Sequence, residues 1–64
     1  MKTKTLIYDY YKPDVVLKRM VDILYQPLTY LYIKGVKYQL LEALCCDEFD
    51  VEGWLVRKIF VQEF

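Results

Sequence analysis

The pattern of apolar and polar positions is clearest in residues 29–40, where alternation predicts a β-hairpin. With Lys34-Gly35 as a two-residue turn, Ile33 faces Val36 across the hairpin. This register gives an apolar side of Leu31, Ile33, Val36, Tyr38 and Leu40 and a reverse side of Tyr30, Tyr32, Lys37 and Gln39. The two alternations agree in one register, as a half-buried antiparallel ribbon requires. Lys34 suits the first turn position less well than Asn or Asp, so a longer loop remains an alternative.

Two further segments before the hairpin have strand-like composition. Residues 3–11 are rich in Thr, Ile and Tyr and alternate loosely, which predicts a first strand that ends at Lys12-Pro13-Asp14. Residues 15–26 fit a strand and a helix about equally well, and Asp14 would be the N-cap of the helix. The density of β-branched residues and Pro27 at the end of the segment favour the strand.

The alternation changes phase after the hairpin. Leu41, Ala43 and Cys45 continue the apolar set one position out of step with Leu40. Such a slip is typical of a β-bulge, and a short helix is the alternative because residues 39–44 are all good helix formers. Residues 47–53 have the composition of a polar turn, and residues 54–64 predict a last strand.

Together these segments predict an all-β fold with one domain over residues 1–64. Turn signals recur about every ten residues, which favours a four- to five-stranded antiparallel barrel or curled meander of SH3-like size. A short helix at residues 14–26 or 39–46 is the variation that the pattern leaves open.

Composition indicates that the chain exposes apolar surface. Of its 64 residues, 56% are hydrophobic, above the roughly 45–50% of ordinary domains, and a partner or a second copy would cover the excess. The formal net charge is zero, which argues against a generic polyanion binder. Residues 1–40 nevertheless hold seven Lys/Arg against three Asp, whereas residues 41–64 hold two against six acidic residues. These opposite excesses could pair within the chain or between copies.

The residue types that are missing limit the chemistry. The sequence contains no His, Ser or Asn, so a Ser-His-Asp or Cys-His site cannot be built and zinc sites that need imidazole are excluded. Cys45 and Cys46 are adjacent, which is poor geometry for a disulfide, and we expect two reduced thiols. The apolar run after Lys4 is broken at Asp9, too early for a signal-peptide core or a membrane span. We therefore expect a cytoplasmic protein without a cofactor.

The order of motifs along the chain is a first strand, a second that ends in Tyr25-Gln26-Pro27, the Tyr-Ile-x-Gly-x-x-Tyr hairpin from Tyr32 to Tyr38, and a last aromatic strand. In this order the chain resembles short uncharacterised β-barrel proteins carried by phages and mobile elements. The resemblance spans most of the chain. It implies a small β-rich fold and attaches no activity, cofactor or site to any position.

The reverse side of the hairpin is the best candidate binding surface, because tyrosines beside a lysine can anchor a protein or stack on bases near phosphate. Its residues are Tyr30, Tyr32, Lys37 and Gln39. The alternative is that they form a second buried face. Trp54 is either the main core anchor or a hot spot for a partner.

Four carboxylates occur within six residues, at Asp47, Glu48, Asp50 and Glu52. The EF-hand spacing is absent, so a solvated acidic loop is favoured over a calcium site, and no metal is expected.

These observations favour a non-catalytic interaction module that binds or sequesters a partner, with a second copy of the chain as the first expected partner. The resemblance to phage proteins makes inhibition of a host protein a specific form of this function. The alternative is a nucleotide or single-stranded nucleic-acid binding module, which the zero net charge makes the lesser candidate. Neither an enzyme nor a membrane protein is expected.

Overall fold

The computed structural model of the chain describes residues 2–64 and confirms the all-β prediction. The described residues form six strands and one short 3-10 helix, at Glu42–Leu44. The strands are β1 Thr3–Asp9, β2 Lys12–Val21, β3 Tyr30–Ile33, β4 Val36–Leu40, β5 Cys46–Phe49 and β6 Leu55–Glu63. The 3-10 helix lies inside the 39–46 segment, where a short helix was one of two predictions.

The six strands belong to one sheet, which is curled but not closed into a barrel. Its order is β2-β1-β6-β4-β3, and β5 also pairs with β6. The curled meander is therefore the form that the fold takes, with six strands where four or five were expected. One pair departs from the antiparallel prediction, because β1 and β6 run parallel, with Ile7 beside Ile59.

Strand β6 organises the sheet, because it pairs with three others. One side of it binds β1, and the other side binds β5 along its first half and β4 along its second. Leu40 lies opposite Val61 and Cys46 lies opposite Lys58, so residues 41–45 oppose only two residues of β6. The surplus residues form the 3-10 helix, which explains the phase change after Leu40.

The helical alternative for residues 14–26 is wrong, since β2 runs from Lys12 to Val21. Pro13 lies inside this strand rather than ending the previous one; an edge strand tolerates proline because one row of its amides has no partner. The pairing of β1 with β2 is irregular on both sides of Tyr8. As a result Leu17 and Met20 both pack against the core, which a strict alternation does not predict.

The main core cluster lies on one side of the sheet, while Val56, also buried, stands on the other. The cluster consists of Ile7, Leu31, Ile33, Tyr38, Ile59 and Val61. The predicted apolar side of the hairpin is confirmed, because its members are buried or pack at the margin of this cluster. The turn also has the predicted length, with φ of 50° at Lys34 and 79° at Gly35, as a type I′ turn needs.

The connection between β2 and β3 passes over the core side of the sheet. Thr5, which is fully buried in β1, donates a hydrogen bond to the carbonyl of Ile23 and accepts one from the amide of Tyr25. Arg57 donates to the carbonyl of Leu24 at 3.2 Å. These bonds hold the segment in place, and the side chain of Tyr25 packs against the core.

Candidate binding face

The opposite side of the sheet is the candidate site, and we call it the outer face. It comprises Lys4, Leu6 and Tyr8 of β1, Tyr30 and Tyr32 of β3, Lys37 and Gln39 of β4, Val56, Lys58, Phe60 and Gln62 of β6, together with Phe64. The predicted register is confirmed, since Tyr30 pairs with Gln39 and Tyr32 with Lys37. Tyr32 is 68% exposed and Tyr30 is 41% exposed, so neither is part of a second core within this chain.

Lys37 is the centre of a cluster of aromatic rings. Its ammonium lies 4.4 Å from the ring centre of Tyr30 and 4.7 Å from that of Phe64. The two rings meet edge to face with their centres 5.1 Å apart. Each contact orients the rings before any ligand arrives, because cation–π and edge-to-face geometries are both favourable.

Phe64 was not among the predicted site residues. Its amide donates to the carbonyl of Lys37 at 3.0 Å, which places the end of β6 beside the hairpin. Sequence alone could not reveal this neighbour, because it depends on β4 pairing with β6 rather than with a strand nearer in sequence.

A row of polar side chains continues the face towards β1. Gln62 stands opposite Gln39, and its amide donates to the Gln39 side chain at 3.2 Å. The Tyr11 hydroxyl donates to Gln62 at 3.3 Å from the turn between β1 and β2. Next to this row, Tyr8 and Phe60 stack with their ring centres 5.3 Å apart. The outer face is therefore a band of rings and amides that crosses β1, β6, β4 and β3.

Trp54 lies apart from this band. It precedes β6, whereas Phe64 follows it, so about 30 Å of extended chain separates the two. Trp54 is half-buried, does not belong to the core cluster, and has the ammonium groups of Lys2 and Lys4 about 5 Å from its ring. The interpretation of Trp54 as the main core anchor is thus wrong. The structure brings four of the five predicted site residues together. Trp54, the fifth, lies at the opposite end of β6, beside Lys4.

The acidic segment makes ion pairs within the chain. Asp47 pairs with Arg57, Glu48 with Lys58, and Asp50 with Lys4. The hydrogen bond from Arg57 lowers the pKa of Asp47, and the bond to Glu48 raises the pKa of Lys58. This segment is partly strand β5, not only a polar turn. Among residues 2–64 no group of His, Cys, Asp and Glu is arranged to hold a metal ion.

Two other features lie outside the outer face. A groove of about 280 Å³ is lined by Gln26, Pro27, Leu28, Thr29, Leu40 and Glu42. Both thiols are free, with Cys45 half-buried and Cys46 exposed, in agreement with the prediction.

Within residues 2–64, no helix has the length and hydrophobicity that crossing a bilayer requires. Comparison with known proteins gives no match to any family model, curated protein or solved structure.

Proposed function

We propose that this chain is a non-catalytic interaction module that binds a partner on its outer face and acts by occupying that partner. The observation that carries the proposal is the cluster of Tyr30, Lys37 and Phe64, which is ordered by its own contacts, together with the 68% exposed ring of Tyr32 on the same side of β3. Exposed aromatic side chains held in place are typical binding anchors, since little conformational entropy is lost when a partner covers them.

The first form of the proposal is a protein partner, including a second copy of the chain. Strand β3 is an edge of the sheet, and its sequence Tyr-Leu-Tyr-Ile contains no charge or proline to prevent pairing with another strand. The zero net charge gives no repulsion between copies. Inhibition of a host protein is the specific form that the resemblance to phage proteins suggests. Two free thiols support a reducing compartment, and we propose the cytoplasm.

The test compares variants on the two sides of the sheet. Tyr32→Ala removes a 68% exposed ring from the outer face, and Phe49→Ala removes a 64% exposed ring from β5. Phe49 lies one position after Glu48, at a register position of the opposite side, so it is a matched control. Light scattering across micromolar concentrations then measures self-association, and cross-linking with mass spectrometry measures which face contacts a partner.

We expect Tyr32→Ala to weaken association or cross-linking and Phe49→Ala to leave both unchanged. Equal behaviour of the two variants, with cross-links spread over both sides, would contradict a binding role for the outer face. A strict monomer with no self-cross-links removes the second copy as partner and restricts the proposal to other molecules.

The second form is a nucleotide or single-stranded nucleic-acid ligand. A specific observation favours it: Lys37 lies among the rings of this face, and no carboxylate of residues 2–64 pairs with it.

A further inference from the structure

The outer face carries an excess of positive charge. On this side of the sheet lie Lys4, Lys37 and Lys58, and the carboxylates that meet them are those of Glu48, which stands opposite Val56, and Asp50, which reaches Lys4. The acidic residues of β1 and β6, Asp9 and Glu63, stand at register positions of the core side. An overall charge of zero therefore coexists with a face that suits an anion.

The lysines of this face differ in whether their ammonium groups are free to bind an anionic ligand. Lys4 and Lys58 are paired with Asp50 and Glu48. No carboxylate in residues 2–64 lies within ion-pair distance of Lys37, whose ammonium lies over the rings of Tyr30 and Phe64. A free cation thus lies directly among exposed rings, where a phosphate and the base attached to it would be bound together.

The rings are spaced along one strand in a way that suits successive flat groups. Tyr30 and Tyr32 are two residues apart on the same side of β3, which separates their Cα atoms by about 6.5 Å. Gln39 lies beside Tyr30 and Gln62 lies beside Gln39, and amide side chains can donate to and accept from the edges of bases. A double helix does not offer its base faces, so stacking on these rings requires an unpaired strand.

From these three observations we propose that the ligand of the outer face is single-stranded nucleic acid. Bases stack on Tyr32 and on the Tyr30–Phe64 pair, Lys37 contacts phosphate, and Gln39 contacts base edges. The proposal rests on the proposed function, since it names the partner of the same face.

The experiment measures the fluorescence anisotropy of labelled oligothymidylate and oligouridylate of twelve nucleotides, over a series of salt concentrations. We expect saturable binding that Tyr32→Ala weakens about tenfold or more, since each base stacked on a ring contributes this much. Tyr32→Phe keeps the ring and is expected to bind within about twofold of the parent chain. Lys37→Gln is expected to reduce the slope of log K against log salt by about 0.7, the value for one phosphate of a single strand.

Two controls match these variants on the other side of the sheet. Phe49→Ala removes an exposed ring, and Lys18→Gln removes an exposed cation that stands opposite Ile7, at a core-side register position. Both are expected to leave the affinity for oligonucleotides within about twofold. Circular dichroism of each variant verifies that the sheet is intact.

Three results would overturn the inference: no binding at low salt, equal competition by polyglutamate or by a duplex of the same length, or an equal loss with Phe49→Ala. If oligonucleotides do not bind but Tyr32→Ala still abolishes self-association or protein cross-links, the proposed function stands and only the nucleic-acid ligand is wrong. If Tyr32→Ala affects neither oligonucleotides nor proteins, both proposals are wrong.

Discussion

The hydroxyl of Thr5 and the backbone amide of Tyr25 are joined by a 2.9 Å hydrogen bond between two parts of the chain that are twenty residues apart. The same hydroxyl donates to the carbonyl of Ile23 at 2.6 Å, so one fully buried side chain satisfies two backbone groups of the β2–β3 connection. The main core cluster lies on one side of a single sheet, and this segment covers it.

We expect Thr5→Val to destabilise the fold by about 1–3 kcal/mol, because valine has nearly the same shape but leaves both backbone groups without their partner. Thr5→Ser keeps the hydroxyl and is expected to lose about 1 kcal/mol, for the methyl group alone. Urea unfolding followed by tryptophan fluorescence measures both. A larger loss for Thr5→Ser than for Thr5→Val would show that packing, not hydrogen bonding, holds the connection.

The hairpin turn offers a test of backbone strain. Lys34 has a φ of 50°, which a residue other than glycine adopts at a cost of about 1 kcal/mol, whereas Asn tolerates it. Lys34→Asn is therefore expected to stabilise the fold by several tenths of a kcal/mol. Gly35→Ala is expected to destabilise it by about 1–2 kcal/mol through conformation alone, since an added Cβ would meet nothing within 4 Å. Midpoints of thermal unfolding that shift the other way would contradict the type I′ geometry.

The Asp47–Arg57 pair predicts how stability depends on pH. The hydrogen bond from Arg57 holds the pKa of Asp47 below its ordinary value of 3.8. A carboxyl whose pKa is lower when folded stabilises the fold above its unfolded pKa, and this contribution is lost as pH falls through the folded pKa. The loss therefore begins below about pH 4.

Asp47→Asn removes this dependence. We compare the free energy of unfolding at pH 5 and at pH 2.5. Because the pair is exposed, this free energy is expected to fall by at most about 1 kcal/mol more in the parent chain than in the variant. Urea unfolding at the two pH values measures the difference, and NMR titration of the Asp47 carboxyl measures its pKa directly. A carboxyl that titrates above 3.8 would show that the pair does not form in solution.

The parallel contact of β1 with β6 is the centre of the core. Ile7 and Ile59 lie side by side, and both are essentially inaccessible to solvent. We expect Ile59→Val to cost about 0.5–1.5 kcal/mol, since a methylene is removed from a packed site. Val51→Ala, at a fully exposed position, is the matched control and is expected to change stability by less than 0.5 kcal/mol. Equal effects of the two substitutions would mean that the two strands are not packed together.

Local patterns were sufficient for the hairpin. The alternation of residues 29–40 defined its turn, its register and both of its faces, because each contact in a hairpin joins residues close in sequence. The same pattern brought Tyr30, Tyr32, Lys37 and Gln39 to one surface. The pattern could not show whether Trp54 belongs to that surface. The position of Trp54 depends on where β6 begins and on which strands β6 pairs with.

Features that depend on distant pairing were not accessible to the same reasoning. The parallel pairing of β1 with β6 joins residues about fifty positions apart, and no local signal distinguishes it from an antiparallel meander. The bulge in β2 was hidden because Leu17 and Met20 are three residues apart, a spacing that a helix and a bulged strand share. The contact of Phe64 with the hairpin was missed for the same reason, because it depends on the pairing of β4 with β6.

The contact of Lys37 with Phe64 connects stability to the candidate site. Its ammonium lies 4.7 Å from the ring centre, in a partly exposed setting where such contacts contribute about 0.5–1 kcal/mol. A double-mutant cycle with Lys37→Met and Phe64→Leu, measured by urea unfolding, is expected to give a coupling energy in this range. Lys37→Arg keeps the charge and is expected to retain most of the coupling.

The same cycle tests whether the ring cluster is ordered before it meets a partner. A coupling energy near zero would mean that the rings and the ammonium move independently in the free chain, and a partner would then have to order them on binding. A coupling of about 0.5 kcal/mol or more means that much of this order already exists. Substitutions at Lys37 should then weaken partner binding partly by releasing Tyr30 and Phe64, and not only by removing a charge.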